Sequence, residues 1–294
     1  MSQAMMTQKQ KTLAEAALAN PEHRFTNLYS LMHWDYWIRT AMDTVLARSG
    51  STTAGVDGKA RDYFKDHYEE TQKLLVTSLR EKTYEPQPVR RVYIPKSNGK
   101  LRPLGIPALR DRFVQEALRA ILDPIFESDF CLHSYGFRKG RCTMDAIAVI
   151  MPLFNTSNKH YYVIEGDIRS YFDTVHHRKL LSLVKRRIAD KDIIDLIWKF
   201  LKAGVMEGQL FAKTEQGVPQ GGIITPPTKL QTFFFGVSVF RVRIDPKHDI
   251  DLVLGHFHPL YEGTDEISFV RPIRGLQAVV DFGRKVFQTA NDQL

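Results

Sequence analysis

With 294 residues, 43% of them hydrophobic, the chain is long enough for one large domain or two smaller ones with a buried core. No stretch approaches the roughly 18–20 apolar residues of a membrane span, and the polar opening from Met1 to Thr12 lacks the apolar core of a signal peptide. The sequence therefore predicts a cytoplasmic protein with no membrane part. A formal net charge of +8 favours a polyanionic partner, because each Lys or Arg that neutralises a phosphate also releases condensed counterions. Charge alone does not separate a nucleic-acid binder from an ordinary basic protein. Cys131 and Cys142 have neither the number nor the spacing of a disulfide framework or a zinc site and are expected to be free thiols.

Helical spacing groups Leu13, Ala17 and Leu18 in one run and Leu28, Leu31, Met32 and Trp37 in the next. Small residues mark a loop from Ser49 to Gly58, and residues 59–82 read as one amphipathic helix. After Pro86 and Pro88, the β-rich run Val92-Tyr93-Ile94 and a second run ending at Pro107 flank Ser97-Asn98-Gly99, a hairpin signal. A helix is predicted over Asp111 to Phe126, with Val114, Ala117, Leu118, Ile121 and Leu122 on one side. A β-like run, Tyr161 to Ile164, leads into Glu165 to Asp173, and a helical region follows from Arg178 to about Leu201. There is no internal repeat or low-complexity tract. The expected class is α+β, a largely antiparallel sheet flanked by helices, in preference to a regular βαβ alternation.

Three segments carry groups suited to chemistry. Between Arg90 and Arg112 lie Arg90, Arg91, Lys96, Lys100, Arg102, Arg110 and Arg112 against one acid, Asp111. On a hairpin such side chains can line one face and clamp a triphosphate or a strand's phosphates; equally, they can form a solvated basic edge. Asp167 ends an apolar run and is followed by Phe172 and Asp173. A carboxylate at a strand end suits Mg²⁺, which takes oxygen ligands, although a lone Asp there is commonly a helix cap or turn residue. The third segment, Gln216-Gly-Val-Pro-Gln-Gly-Gly-Ile-Ile-Thr225, is a glycine-rich loop with an amide side chain, able to approach a nucleotide or base pair closely. His176 and His177, after the second segment, are expected to begin a helix and not to bind metal.

Taken in order, these pieces resemble a known family. Asn27-Leu-Tyr with Thr53-Ala-Gly-Val-Asp-Gly58, Ile94-Pro-Lys with Asn98-Gly-Lys-Leu-Arg-Pro-Leu-Gly-Ile-Pro107, Arg110-Asp-Arg112 with Gln115, Ser134-Tyr-Gly-Phe-Arg138, Asp167 to Asp173, and Gly217-Val-Pro-Gln-Gly-Gly222 look like successive blocks of group II intron-encoded reverse transcriptases. The resemblance covers roughly residues 25–226. It implies a right-hand polymerase with fingers and a partial palm: an N-terminal extension over 1–24, the fingers region over 25–160, the palm portion over 161–226 and a tail outside the family pattern over 227–294. It also implies Mg²⁺ as cofactor, with an RNA template, a DNA primer and deoxynucleoside triphosphates as partners.

The same resemblance assigns roles by position. Asp167 matches the first metal-binding aspartate of the palm and is the implied catalytic carboxylate, with the Ile168 carbonyl as a second metal contact. Lys100 and Arg102 fall near the incoming triphosphate, and Arg112 faces the template or nucleotide. Phe172 stands where such polymerases set a bulky ring against the sugar, and Gln220 contacts the nucleotide and the nascent pair. Arg90, Arg91, Lys96, Arg110 and Arg138 are implied template or RNA contacts.

Beyond Pro226 the likeness stops. The family carries a Tyr-x-Asp-Asp block after this point, whose two aspartates complete the site for two metal ions; no such block follows Pro226 here. The tail contains Phe233-Phe-Phe235 and scattered prolines and histidines without a sustained period, and is expected to be poorly structured. A shifted reading frame near Pro227 and a genuine replacement of the C-terminal half both account for it. Two functional expectations follow: an RNA-directed DNA polymerase by descent with impaired or absent activity, or an inactive RNA-binding remnant of an intron maturase.

Overall fold

The computed structural model describes residues 3–95, 99, 101–136, 138–154 and 175–218, with backbone only at 153–154, together with the backbone of 242–244 and 250–252. The chain divides into two units, Met1–Asp129 with Ser170–Gln231, and Phe130–Arg169 with Thr232–Leu294.

In the first unit the core is built around one helix, Leu109–Phe126 (here α6). Phe113, Val114, Ala117, Leu118, Ile121 and Ile125 are fully buried, and the polar Asp111, Arg112, Gln115 and Glu116 are buried as well. A helix covered nearly all round lies inside its domain and not at its surface. Pro124 lies inside it and lacks the N–H that would bond the Ala120 carbonyl. Gln10 supplies the replacement, its Nε2 donating to Ala120 O at 2.8 Å, which ties the N-terminal helix α1 (Gln3–Ala19) to the core helix. Leu13 and Ala17 of α1 are buried, whereas Leu18 is 68% exposed. Positions 13 and 17 are one helical turn apart, and position 18 falls about 100° away from 17 at 3.6 residues per turn, so Leu18 does not join their face.

Helices α2 (Tyr29–Met32) and α3 (Asp35–Ala47) follow, the latter burying Trp37, Ile38, Ala41, Met42, Val45 and Leu46 on one stripe. Trp37 satisfies its buried ring N–H on the Ala117 carbonyl at 3.0 Å. The single helix expected over 59–82 is two, α4 (Arg61–Asp66) and α5 (Tyr68–Arg80), with His67 between them stacked on Tyr63. The region expected to be helical from Arg178 to Leu201 is likewise two, α8 (His177–Arg187) and α9 (Lys191–Lys202). Asp190 makes that break. Its Oδ1 accepts from the N–H groups of Asp192 and Ile193, capping α9, while its Oδ2 accepts from Tyr29 N at 2.9 Å beside α2.

Between α8 and α9 the chain runs beside the segment before α2: Phe25 N donates to Arg187 O and Ala189 N to Phe25 O, both at 2.8 Å. Arg187 is buried, and its guanidinium donates to the carbonyls of Ala17, Asn20, Pro21 and His23, beside Asp129 at 3.1 Å. It supplies donors to carbonyls that the end of α1 leaves without helical partners.

Strand β1 (Val89–Pro95) pairs antiparallel with β2 (Leu101–Ile106), from Arg90 opposite Ile106 to Pro95 opposite Leu101. The last described pair, Pro95 opposite Leu101, flanks the predicted Asn98-Gly99, and Gly99 has the positive φ of 77° that a tight hairpin turn uses. Strand β3 (Val205–Glu207) joins β1 in parallel and β4 (Leu210–Ala212) antiparallel to β3, in the order β2-β1-β3-β4. The one parallel pair departs from a purely antiparallel sheet; β3 reaches β1 through a long connection containing helices, as parallel neighbours require.

In the second unit, α7 (Thr143–Ile150) begins at Cys142, whose N–H donates to the Asp145 carboxylate at 2.6 Å. Cys131 and Cys142 are exposed free thiols. Within the segment that shows no strand period, β5 (Val242–Ile244) pairs antiparallel with β6 (Ile250–Leu252); strands of three residues are too short to register as alternation. No helix among the described residues is long and apolar enough to cross a membrane.

Candidate nucleic-acid interface

Strand alternation divides the basic residues of the hairpin between two faces. Arg90 and Arg102 share one face with Val92, Ile94, Leu104 and Ile106, while Arg91 and Tyr93 lie on the other. Both faces therefore carry charge, where a single basic face was expected. Arg91 Nη1 comes within 4.0 Å of a Glu207 carboxylate oxygen on β3, and Tyr93 OH donates to the other oxygen at 2.9 Å. Arg90 and Arg102 are half-buried.

The base of the hairpin is clamped to the loop between α3 and α4. Arg112 donates from Nε to Pro107 O at 2.9 Å, from Nη1 to Gly50 O at 2.8 Å and from Nη2 to Thr53 O at 2.8 Å. Burial pushes this guanidinium down from its usual value, and the neighbouring Arg90 adds to that while Asp57 opposes it. The side chain expected to face template or nucleotide thus spends its donors on backbone carbonyls, because helical periodicity turns position 112 toward the core with 113 and 116. Arg90 Nη2 reaches Ala54 O of the same loop at 2.7 Å. Gly55 explains the composition of this loop: a Cβ there would lie 2.4 Å from Ala108 Cα, so only glycine allows the approach.

Two residues before Arg112, Arg110 donates to Glu85 O at 2.7 Å, lies 3.3 Å from an Asp111 oxygen and covers the Tyr84 ring at 5.4 Å. Asp111 is buried and accepts from Tyr84 OH at 2.6 Å and Gln87 N at 2.9 Å. Burial raises its carboxyl above the usual range; the Tyr84 hydrogen bond and the Arg110 charge act the other way.

A second junction joins two blocks far apart in sequence. Gly217, at φ 81°, donates from its N–H to Val175 O at 2.8 Å, and His177 Nε2 meets Gly217 O at 2.6 Å. The start of the Gly217 to Gly222 block is thereby held beside the chain that leaves the Asp167 to Asp173 block. In the second unit, Arg138 covers the Phe130 ring at 4.7 Å and donates from Nη1 to Cys131 O and Ser134 O, giving a basic, aromatic loop.

Asp167, Ile168, Phe172 and Gln220, with Lys96 and Lys100, lie outside the described residues. Among the described residues no group of three or more His, Cys, Asp or Glu side chains gathers to hold a metal ion. Three structural roles escaped sequence reasoning: Arg112 and Asp111 as buried anchors, Arg187 as a helix-end ligand, and His177 as a loop contact. For the first two the available signal was charge on the apolar side of a helical period; for His177 there was none beyond its place at a helix start.

The family model of reverse transcriptases (RNA-dependent DNA polymerases) matches residues 94–233. Protein YkfC of Escherichia coli (strain K12) is 44% identical over 224 residues, covering 76% of this chain and 59% of its own length. The group II intron-encoded protein LtrA of Lactococcus lactis subsp. cremoris is 39% identical over 208 residues, 70% of this chain and 34% of its own. A putative COX1/OXI3 intron 1 protein of Saccharomyces cerevisiae is 35% identical over 208 residues, 70% of this chain and 24% of its own. The chain spans no more than 59% of the length of any of these three curated relatives.

Proposed function

We infer that this chain, which belongs to the group II intron-encoded reverse transcriptases, binds RNA through its fingers hairpin and is an RNA-directed DNA polymerase by descent whose nucleotidyl transfer is impaired. The observation that carries the binding reading is the hairpin itself: Arg90 and Arg102 on one face, Arg91 on the other, and a base immobilised by Arg112 and Gly55. A clamped base limits the conformational entropy lost when the basic strands meet a phosphate chain.

In this reading Lys100 and Arg102 neutralise the triphosphate, Phe172 stands against the sugar, and Gln220 lies at the nascent pair. Arg112 acts on the nucleotide side indirectly, by fixing the hairpin base. Arg90, Arg91, Lys96, Arg110 and Arg138 contact template phosphates. The reaction is attack of a primer 3′-OH on the α-phosphorus of a deoxynucleoside triphosphate with departure of pyrophosphate. Asp167 and the Ile168 carbonyl are oxygen donors of the type Mg²⁺ selects, and an ion held there would supply charge stabilisation to the attacking and leaving oxygens. The sequence offers no Tyr-x-Asp-Asp pair after Pro226 to fix a second ion, hence the impaired transfer.

Fluorescence anisotropy with a labelled RNA should show binding that weakens steeply with salt, and primer extension with Mg²⁺ should be near background. Asp167→Asn should change that background little. Extension that is robust and lost in Asp167→Asn would overturn the impairment, and binding that is insensitive to salt would overturn the interface.

A further inference from the structure

We propose that His177 is a positioning residue for Gly217, at the start of the glycine-rich block: a neutral imidazole whose Nε2–H clasps the Gly217 carbonyl while the Gly217 N–H clasps the Val175 carbonyl. His177 is 2% exposed, with Trp198 of α9 set edge-on at 6.2 Å. A carbonyl only accepts, so the 2.6 Å contact places the proton on Nε2. The other nitrogen, Nδ1, is buried with no partner among the described residues, which leaves it as the unprotonated nitrogen of the neutral ring. The adjacent histidine does different work, its Nδ1 accepting from Lys179 N at the start of α8.

The pair of bonds closes a ring between residues 175–177 and residue 217 across 40 positions of chain. Gly217 completes it with a φ of 81°, which a side chain would disfavour. The segment is thus fixed three residues before Gln220. Charging the ring would put a proton on Nδ1 where no described acceptor waits. The groups that act on it are Lys202 from α9, of like sign to an imidazolium, and His176 at the start of its own helix, and the loop contributes the Gly217 carbonyl. Burial, foremost, and these two neighbours hold the ring below its ordinary 6.5, with the carbonyl opposing. The sign follows: with a depressed folded value, the stability contributed by burying the neutral ring is fully present above 6.5 and lost as pH falls through the lower folded value.

The test is hydrogen exchange of the full chain without nucleic acid, comparing the parent with His177→Phe, which keeps the ring volume, and His177→Gln, which keeps a long-reach N–H donor. Exchange over 213–218 should rise about tenfold in His177→Phe and return to within about threefold in His177→Gln, with 109–126 unchanged in both. Ring ¹⁵N shifts of the parent should report the Nε2-protonated neutral form at pH 6.5. Unchanged exchange in His177→Phe, faster exchange through 109–126 as well, a Gln variant no better than Phe, or an imidazolium at pH 6.5 would each overturn the proposal. That the fixed segment serves a nucleotide contact at Gln220 rests on the reverse transcriptase reading. Salt-insensitive RNA binding by every variant would count against that reading, while the exchange pattern decides the clasp.

Discussion

The base and the strands of the β1–β2 hairpin contain the same residue type put to opposite uses. At the base, Arg112 has three nitrogens on three backbone carbonyls and is buried. Along the strands, Arg91 and Arg102 are only partly covered, and Arg91 meets a carboxylate at the 4.0 Å limit of an ion pair. A basic segment read as one electrostatic unit is therefore two: a cross-linked foundation and a surface able to meet phosphate. Substitutions at the base should cost stability, and substitutions on the strands should cost binding alone.

The largest effect should come from Arg112→Met, which keeps much of the volume but leaves the carbonyls of Gly50, Thr53 and Pro107 without their donor. Urea denaturation should show a loss of about 3–5 kcal/mol, in the range for breaking a buried charged network. Arg112→Lys should recover little, since one ammonium cannot reproduce the planar fork. A loss below about 1 kcal/mol would mean the base is held by something other than this arginine. Next comes Gly55→Ala, where the new Cβ meets backbone at 2.4 Å and cannot be relieved by a side-chain rotation. A cost of about 3 kcal/mol is expected, measured in the same way.

Both positions show what sequence can and cannot reveal. The hairpin was legible because alternation and an Asn-Gly turn are local signals, and β1 and β2 pair as those signals predict. The helix from Leu109 was legible by its period. The helix breaks at His67 and at Ile188–Asp190 were not, since the apolar stripe continues across them. Site roles divided in the same way. Motif order points to the family, and the family match runs through residue 233, past the Pro226 where the motif blocks end. Motif order could not show that Arg112 faces inward, because that depends on where the loop from Ser49 to Gly58 packs.

Tyr84→Phe probes the foundation more gently. It removes the hydroxyl that donates to Asp111 at 2.6 Å and should cost about 1.5 kcal/mol near neutral pH. Asp111 has a folded value raised by burial, so its contribution to stability is fully present below the ordinary carboxylate range and is lost as pH rises through the folded value. The Tyr84 bond limits that loss. Stability curves for Tyr84→Phe and the parent should therefore converge in acid and separate toward neutrality. Parallel curves would mean that the hydroxyl does not sense the carboxylate's charge.

The smallest expected change in stability belongs to Arg102→Ala, and it sharpens the comparison most. Arg102 lies opposite Ile94, on the face it shares with Arg90 and away from Arg91. Trimming a partly exposed strand side chain should move stability by less than about 0.5 kcal/mol. With no triphosphate in the assay the Arg102 guanidinium can meet an RNA phosphate instead, so RNA affinity should fall nonetheless, each single-strand phosphate no longer neutralised taking about 0.7 from the slope of log affinity against log salt. Arg91→Ala removes a charge from the other face, beside Glu207, and its slope reports on that face. Measured together by anisotropy across a salt series, the two variants report which face of the hairpin meets the RNA. Equal slopes for Arg102→Ala and the parent, with a lower slope for Arg91→Ala, would turn the interface over to the Tyr93 side and leave the Arg90 face as part of the foundation.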